Sequence, residues 1–520
     1  MLCVLIAIGL YTRFGLRGGL SRDESVYVYA GQRMAHGVAP YKSIFDPKGP
    51  FASMLSGLAA LVARGTGLND LYLIRLAFFA CSVLTVLGIY LVAHRLWRST
   101  LGAVTAAIVF ASFLGFAEDA LSGPDAKTPG VLAGVACMWL VARRNWTCAG
   151  VAAAIAALTW QPFAPFAIVL LVVAALTRDG ARPWSAVLRA FVGCAVPTAA
   201  TFVYLGIAGA WNDFVQAGVV FPFAGIQRTS ETVPQRIGHV FSIVHEYYGV
   251  GGSVFLWTGM LAIAVLGAAR LASRRTTLRA RWTDPLVAIV LITMLAEALY
   301  ACFDFQGYPD VYPLLPYGAL GVGGLIAVVS DAVARGVRVR AVPIALGTAV
   351  AVLLGVLTGY SWHTFSDHPD NGRLGTQLSS ACAADRILGR HGSMYALGDP
   401  VFLALTHQAN PDRFIYLMSG VDEWKIKHTP GGLNGWLREI VDDHPAVIGM
   451  GGWHDPAVLP QLLADLHAAG YKTRYAGAWH LLLTKPAIAR AERLGVSLTK
   501  QPTPVATGLA GNPLPSRTCY

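Results

Sequence analysis

Apolar runs recur along most of this chain, many near the roughly 20 residues that cross a bilayer as one helix. Short polar links separate them. This pattern constrains the fold more than any motif does, because backbone in lipid must satisfy its own hydrogen bonds. Composition agrees. Of 520 residues, 55% are hydrophobic and 13% are charged, against roughly 25% charged in soluble proteins. Mean hydropathy is +0.53. Arginines gather in alternate links, at Arg95 and Arg98, at Arg143 and Arg144, at Arg178, Arg182 and Arg189, from Arg270 to Arg281, and at Arg335, Arg338 and Arg340. Such links mark the cytoplasmic side. The net charge of +11 is therefore read as membrane topology, and nucleic acid is excluded as a partner. With orientation set by arginine alone, Asp23, Glu24, Asp46, Glu118, Asp119, Asp125, Glu231, Glu246, Asp304 and Asp310 all fall in the opposite links. That segregation is independent support.

The expected architecture is a polytopic α-helical membrane protein of about eleven spans with a C-terminal extracytoplasmic α/β domain. The spans are read at 1–16, 71–94, 101–117, 129–142, 147–159, 163–177, 190–209, 252–271, 285–301, 311–329 and 341–360. The run 51–64 is too short to cross and is placed along the outer face. Outer loops are expected at 17–70, 118–128, 211–251 and 303–311, completing a membrane domain of 1–360. From 361 to 493, short apolar runs at 393–397, 413–417, 446–450 and 479–483 alternate with helical patterns at 433–442 and 456–470, as in a small α/β domain. The Pro-rich stretch 494–520 is expected to be disordered. The first run has no basic segment before it and no cleavage site, so it reads as a retained helix, with a start further upstream left open. Eight cysteines include no C-x-x-C, which argues against a metal or redox motif. A Cys382–Cys519 disulfide stays open.

The stretch 20–50 carries the chemistry. It reads L-S-R-D-E-S-V-Y-V-Y-A-G-Q-R-M-A-H-G-V-A-P-Y-K-S-I-F-D-P-K-G-P. Acids at the mouth of a membrane helix are costly unless they act. Asp23 or Glu24 is a candidate general base. Capping of the following helix by Ser21 or Asp23 is the plainer account of the same residues. Lys48 lies in a Pro-Lys-Gly-Pro turn that fixes an ammonium at headgroup level, suited to a phosphate. Snorkelling is the alternative. Tyr41 and Asp46 sit in the same turn as candidate substrate contacts. Asp125, with Glu118, Asp119 and Lys127 nearby, is a candidate second carboxylate. Residues 303–316 read F-D-F-Q-G-Y-P-D-V-Y-P-L-L-P, an irregular aromatic mouth in which Tyr308 and Tyr312 are candidate contacts; an interfacial aromatic belt also accounts for it. His239, His245 and Glu246 do not have zinc spacing, and His407, His428 and His454 read as surface residues, so no metal site is expected.

The acid pair after the first helix, the pattern Y-x-x-A-x-x-x-x-x-G-x-x-P-Y, the D-P-K-G-P turn and the later Y-P-L-L-P together resemble the type C glycosyltransferases. Within them the chain is most similar to protein O-mannosyltransferase-like enzymes and lipid A aminoarabinose transferases, over about residues 1–330. The resemblance implies a GT-C-like catalytic domain and a sugar donor carried on polyprenyl phosphate at the outer face. It implies Asp23 as base or acceptor-positioning group with Glu24 beside it, Lys48 on the donor phosphate or an acceptor anion, and Asp125, or its competitor Glu118, as the acid after the third helix. It implies no required cofactor and leaves a divalent cation undecided. Nucleotide-binding motifs are absent, which suits a lipid donor. Inverting displacement needs a base near the acceptor and a cation on the phosphate. The expected location is a bacterial plasma membrane, with the site outside. Partners are the bilayer, the lipid-linked sugar (mannose or arabinose class) and a glycan, glycolipid or protein acceptor. A transporter or flippase of lipid-linked saccharides is the alternative, and a non-catalytic wall-binding scaffold a third.

Overall fold

A computed structural model describes residues 1–177, 184–225, 232–272, 284–303, 305, 307–336, 341–366, 373–389, 392–451, 458–477 and 479–501. The chain begins with α1 (Leu2–Tyr11), α2 (Arg22–Ala35), α3 (Phe51–Thr66), α4 (Asp70–Trp97), α5 (Thr100–Ala111), α6 (Leu114–Ser122), α7 (Lys127–Ala142), α8 (Trp146–Thr159), α9 (Pro165–Leu176) and α10 (Ser185–Ile207). After short helical turns follow α11 (Val233–Ala272), α12 (Pro285–Phe303), α13 (Leu315–Gly336) and α14 (Ala341–Ser366).

Six of the described helices are long and apolar enough to cross a membrane, or seven if α5 and α6, bent by 68°, form one broken span. Of the eleven expected spans, those at α1, α7, α8 and α9 are apolar helices of only 10–17 residues. Each turns one face to the bundle, as Trp146, Ala149 and Ala153 of α8 and Leu170 and Val173 of α9 do in the main core. Outward-facing Ile168, Ile207, Val352 and Val356 are exposed, as lipid-facing positions are. The break between α5 and α6 follows Ser112, whose hydroxyl donates back to Ile108 O at 2.9 Å, a local competitor of the helical ladder. The stretch 211–251, expected as an outer loop, is largely helical among its described residues. Trp211–Phe214, a π turn at Val215–Val220 and Phe221–Ala224 lead to α11, which begins at Val233 and kinks at Gly249 (φ 68°). Its polar first half continues the apolar span, so polarity hid the helix. Glu231, Asp304, His454 and the arginines at 178, 182, 274, 275, 279, 281, 338 and 340 lie outside the described residues.

The C-terminal part holds α15 (Arg373–Leu388), β1 (Met394–Leu397), α16 (Val401–Thr406), α17 (Val421–His428), α18 (Gly432–Asp442), β2 (Val447–Met450), α19 (Leu459–Ala468), β3 (Lys472–Ala476), β4 (Trp479–Leu483) and α20 (Lys485–Arg493). The sheet order is β1-β2-β4-β3, with β1 parallel to β2 and the other pairs antiparallel. Three expected strands are present. The fourth, 413–417, is not a strand of the sheet. It runs past the end of β1, where Gly398 N donates to Ile415 O at 2.7 Å. Strand β3 went unread because K-T-R-Y-A is a polar edge. The expected disordered tail is attached up to its first residues, because Thr499 bridges Tyr475. Residues 502–520, with Cys519, lie outside the described residues.

The two parts share a core. Val28, Tyr29 and Ala30 of α2 cluster with Phe402, Leu403 and Leu405 of α16 and with Leu374 and Ala381 of α15. Gln32 Nε2 donates to Ala404 O at 2.9 Å. The α/β domain therefore rests on the helix that carries the acid pair.

Candidate active site

Helix α2 starts where Ser21 and Glu24 close a capping box. Glu24 N donates to Ser21 Oγ at 3.2 Å, and Ser21 N donates to Glu24 Oε2 at 2.8 Å. This satisfies donors that a helix start leaves orphaned. It also separates the two acids. Glu24 is 6% exposed, and its carboxyl lies so close to Gly123 that a Cβ there would sit 2.0 Å from Cδ. Burial pushes the Glu24 carboxyl up to about 7, with the Arg75 charge opposing. Asp23 faces away from this cap, and the Tyr416 hydroxyl donates to its Oδ1.

The link after α2 builds the Lys48 turn. Tyr41 adopts φ 68°, a left-handed conformation that side chains rarely take. Its hydroxyl donates to Lys48 O at 2.8 Å. Lys48 N donates to Asp46 Oδ1 at 3.0 Å. Gln161 Nε2 reaches from the α8–α9 corner to Pro47 O, 2.7 Å, and Gly218 O, 2.8 Å. The turn is thus tied at Asp46, Pro47 and Lys48. The Lys48 ammonium lies 5.5 Å from the centroid of Tyr27. Among the described residues no carboxylate comes within 4.0 Å of it. Burial opposes its charge, but Tyr27 and the carboxylates of Asp125, Asp23 and Asp46 more than offset this and hold it well above the usual lysine range. Burial pushes Asp46 up, with Lys48 opposing. Asp125 is buried and accepts Lys127 N at 2.6 Å. Asp23, Asp46, Lys48 and Asp125 therefore meet on one side of α2, with Tyr41 beneath them.

Glu24, Glu118 and Tyr308 belong to a second space. Together with Gly18, Ser21, Asp119, Ser122, Arg373 and Gln377 they line a cavity of about 220 Å³. Asp119 gathers the aromatic mouth, accepting the Tyr312 hydroxyl at 2.6 Å and the Tyr308 hydroxyl at 3.3 Å. Tyr247 stacks on Tyr308 at 4.6 Å. Lys127 Nζ pairs with Asp310 Oδ1 at 3.0 Å, both nearly buried, and lies 5.0 Å from the Trp160 centroid.

Sequence reasoning missed four contributors. Arg75 is fully buried in α4 and donates to Leu16 O, Gly18 O and Gly19 O, so it shapes the floor of the cavity. A lone arginine early in an apolar run was its signal. Tyr27 is a ring under Lys48, and Gln161 pins the turn. Tyr416 had no local signal. The described residues hold no group of three or more His, Cys, Asp or Glu placed to bind a metal ion.

The architecture matches solved structures. ArnT from Cupriavidus metallidurans bound to undecaprenyl phosphate superposes with a TM-score of 0.60 at 16% identity, covering 92% of this chain and 97% of that one. Its apo form gives 0.58 at the same identity and coverage. The chain has a GT-C fold. A second protein similar in fold is the Archaeoglobus fulgidus oligosaccharyltransferase in complex with Zn and sulfate, with a TM-score of 0.53 and 13% identity over 91% of this chain and 72% of that one. No family model matches the chain, and no curated protein does. The GT-C likeness runs through both the bundle and the α/β domain, since nine-tenths of the chain is covered.

Proposed function

We propose that the chain is an integral membrane glycosyltransferase that moves a sugar from a polyprenyl-phosphate donor to an extracytoplasmic acceptor. The observation that carries this reading is the Lys48 ammonium, without an ion-pair partner among the described residues and held in the field of Asp23, Asp46 and Asp125. A phosphate would complete it. The fold it shares with a protein solved with undecaprenyl phosphate supports the donor class.

In this reading Asp23 takes the proton of the acceptor hydroxyl as that oxygen bonds to the anomeric carbon. The bond from that carbon to the phosphate oxygen breaks on the opposite face, and the configuration inverts. The leaving polyprenyl phosphate carries the negative charge, which Lys48 offsets. Asp46, Tyr41 and Asp125 position the lysine and the donor. The cavity beside Glu24, Glu118, Tyr308 and Tyr312 lies on the acceptor side. The donor sugar is of the mannose or arabinose class and the acceptor a glycan, glycolipid or protein.

The test is transfer of label from mannosyl- and arabinosyl-polyprenyl phosphates in membranes carrying wild type or Asp23→Asn. The expected outcome is a loss of about a thousandfold in the mutant, within the range of general bases. Equal transfer in both would sink Asp23 as base. A second reading, a flippase for lipid-linked saccharides, draws on Glu297, buried within α12 with neither carboxyl oxygen hydrogen-bonded. Transporters place such acids at mid-membrane. Under that reading Glu297→Gln stops lipid translocation and no label is transferred by either protein.

A further inference from the structure

We infer that Tyr416, carried by the C-terminal domain, is a positioning residue for Asp23; this rests on Asp23 acting as the base. The turn that presents it is clamped from both sides. Within the domain, Asp412 accepts the Tyr395 hydroxyl at 3.0 Å, the Lys425 ammonium at 3.1 Å and Phe414 N at 3.1 Å. Toward the membrane part, Arg413 pairs with Asp213 and donates to Gln216 Oε1 at 2.8 Å. Phe45 N donates to Arg413 O at 2.8 Å, and Phe414 stacks on Phe45 at 4.7 Å. Phe45 directly precedes Asp46 of the lysine turn. The same clamp therefore locates Tyr416, Asp46 and Lys48 relative to one another.

The Tyr416 hydroxyl donates to Asp23 Oδ1, which leaves Oδ2 for an acceptor hydroxyl. A donated hydrogen bond favours the ionised carboxylate and fixes its rotamer. A phenol does this without a charge that would neutralise the base. Burial, with Asp23 adding to it, pushes the phenol far above its ordinary value, so it keeps its proton throughout the working range. The other charged groups facing this pair are Arg22 on α2, Asp46 and Lys48 from the turn, and Asp125 from the α6–α7 link. None of these is altered by changing the phenol.

The experiment measures kcat and donor KM against pH on the full-length protein in detergent, using the labelled polyprenyl-phosphate sugar that wild type accepts. Tyr416→Phe is expected to lower kcat about tenfold, to move the acidic limb up by about one pH unit, and to leave donor KM unchanged. Incorporating 3-fluorotyrosine at 416 keeps the fold and strengthens the donor, so the limb moves down instead. An unmoved limb in both variants overturns the inference, as does a rise in donor KM at constant kcat, which would put the hydroxyl on the phosphate. Should Tyr416→Phe fail to fold, the fluorotyrosine protein decides alone by the same limb. Asp23→Asn is measured alongside. Full activity there would defeat the base reading itself and the inference with it, whereas an inactive Asp23→Asn with an unmoved Tyr416→Phe profile defeats only the inference.

Discussion

Glu24 and Ser122 face each other across the α2–α6 contact, with Ser122 Oγ 3.3 Å from Glu24 Oε1. The same hydroxyl also donates to Glu118 O. One hydroxyl proton cannot serve two acceptors well. A protonated Glu24 resolves the conflict by donating to Ser122 Oγ, in keeping with a carboxyl raised from 4.5 to about 7. The sign follows from linkage. Because the folded value is raised, the stability is fully present below the unfolded value near 4.5 and is lost as pH rises through about 7. Between pH 5.5 and 8.5 wild type should lose roughly 1–3 kcal/mol relative to Glu24→Gln. Melting curves of the detergent-purified pair check this. Parallel curves would mean that Glu24 stays ionised.

The Lys48 turn leaves no space behind it. A Cβ on Gly49 would lie 2.0 Å from Leu158 O, a backbone atom that cannot swing aside. Gly49→Ala must therefore displace the turn. Transfer should fall about a hundredfold with little change in thermal stability, approaching the loss in Lys48→Met. Lys48→Arg should keep partial activity, since it preserves charge but not the point-like ammonium. Initial rates of label transfer at varied donor concentration separate these cases. Wild-type rates in Gly49→Ala would show that the turn does not position the lysine.

Lys127 and Asp310 are both under a tenth exposed, so each needs the other. Removing one partner of a buried pair costs roughly 3–5 kcal/mol, whereas replacing both by apolar residues of similar size is close to neutral. Lys127→Met and Asp310→Leu should each be strongly destabilising, and the double mutant should regain most of the loss. A double-mutant cycle by chemical or thermal unfolding measures the coupling. Additive losses would contradict the ion pair.

Much of the site was legible because local rules wrote it. Ser21 or Asp23 reads as a helix cap, which the structure resolves into a Ser21–Glu24 capping box, and Pro47 and Pro50 announce a fixed turn around Lys48. The membrane class was legible from hydropathy and arginine alone. What stayed hidden depends on distant partners. Asp23 and Glu24 are equivalent in sequence, and only the packing of α2 on α6 and on the α/β domain assigns one to a cap and the other to Tyr416. The helical nature of the first half of α11 was hidden by its polar residues, and β3 by the polarity of an edge strand. Length and hydropathy identify six of the described helices as spans, or seven with the bent α5–α6 pair, whereas α8 and α9 are shorter and bury Trp146, Ala153, Leu170 and Val173 in the bundle core.

The core shared by α2 and α16 has a consequence for how the molecule is made. Tyr416 and Asp23 are separated by 393 residues, and Gln32 and Ala404 by 372. Helix α2 emerges early in synthesis, yet the surface that covers it arrives only when the final third of the chain has been translated and has reached the same side of the membrane. Until then the acid pair sits on a helix with one apolar flank unsheltered and without the Tyr416 contact to Asp23. On the proposed reading, a chain interrupted before residue 373 lacks both the surface that covers α2 and the Tyr416 contact to Asp23, and should transfer no sugar.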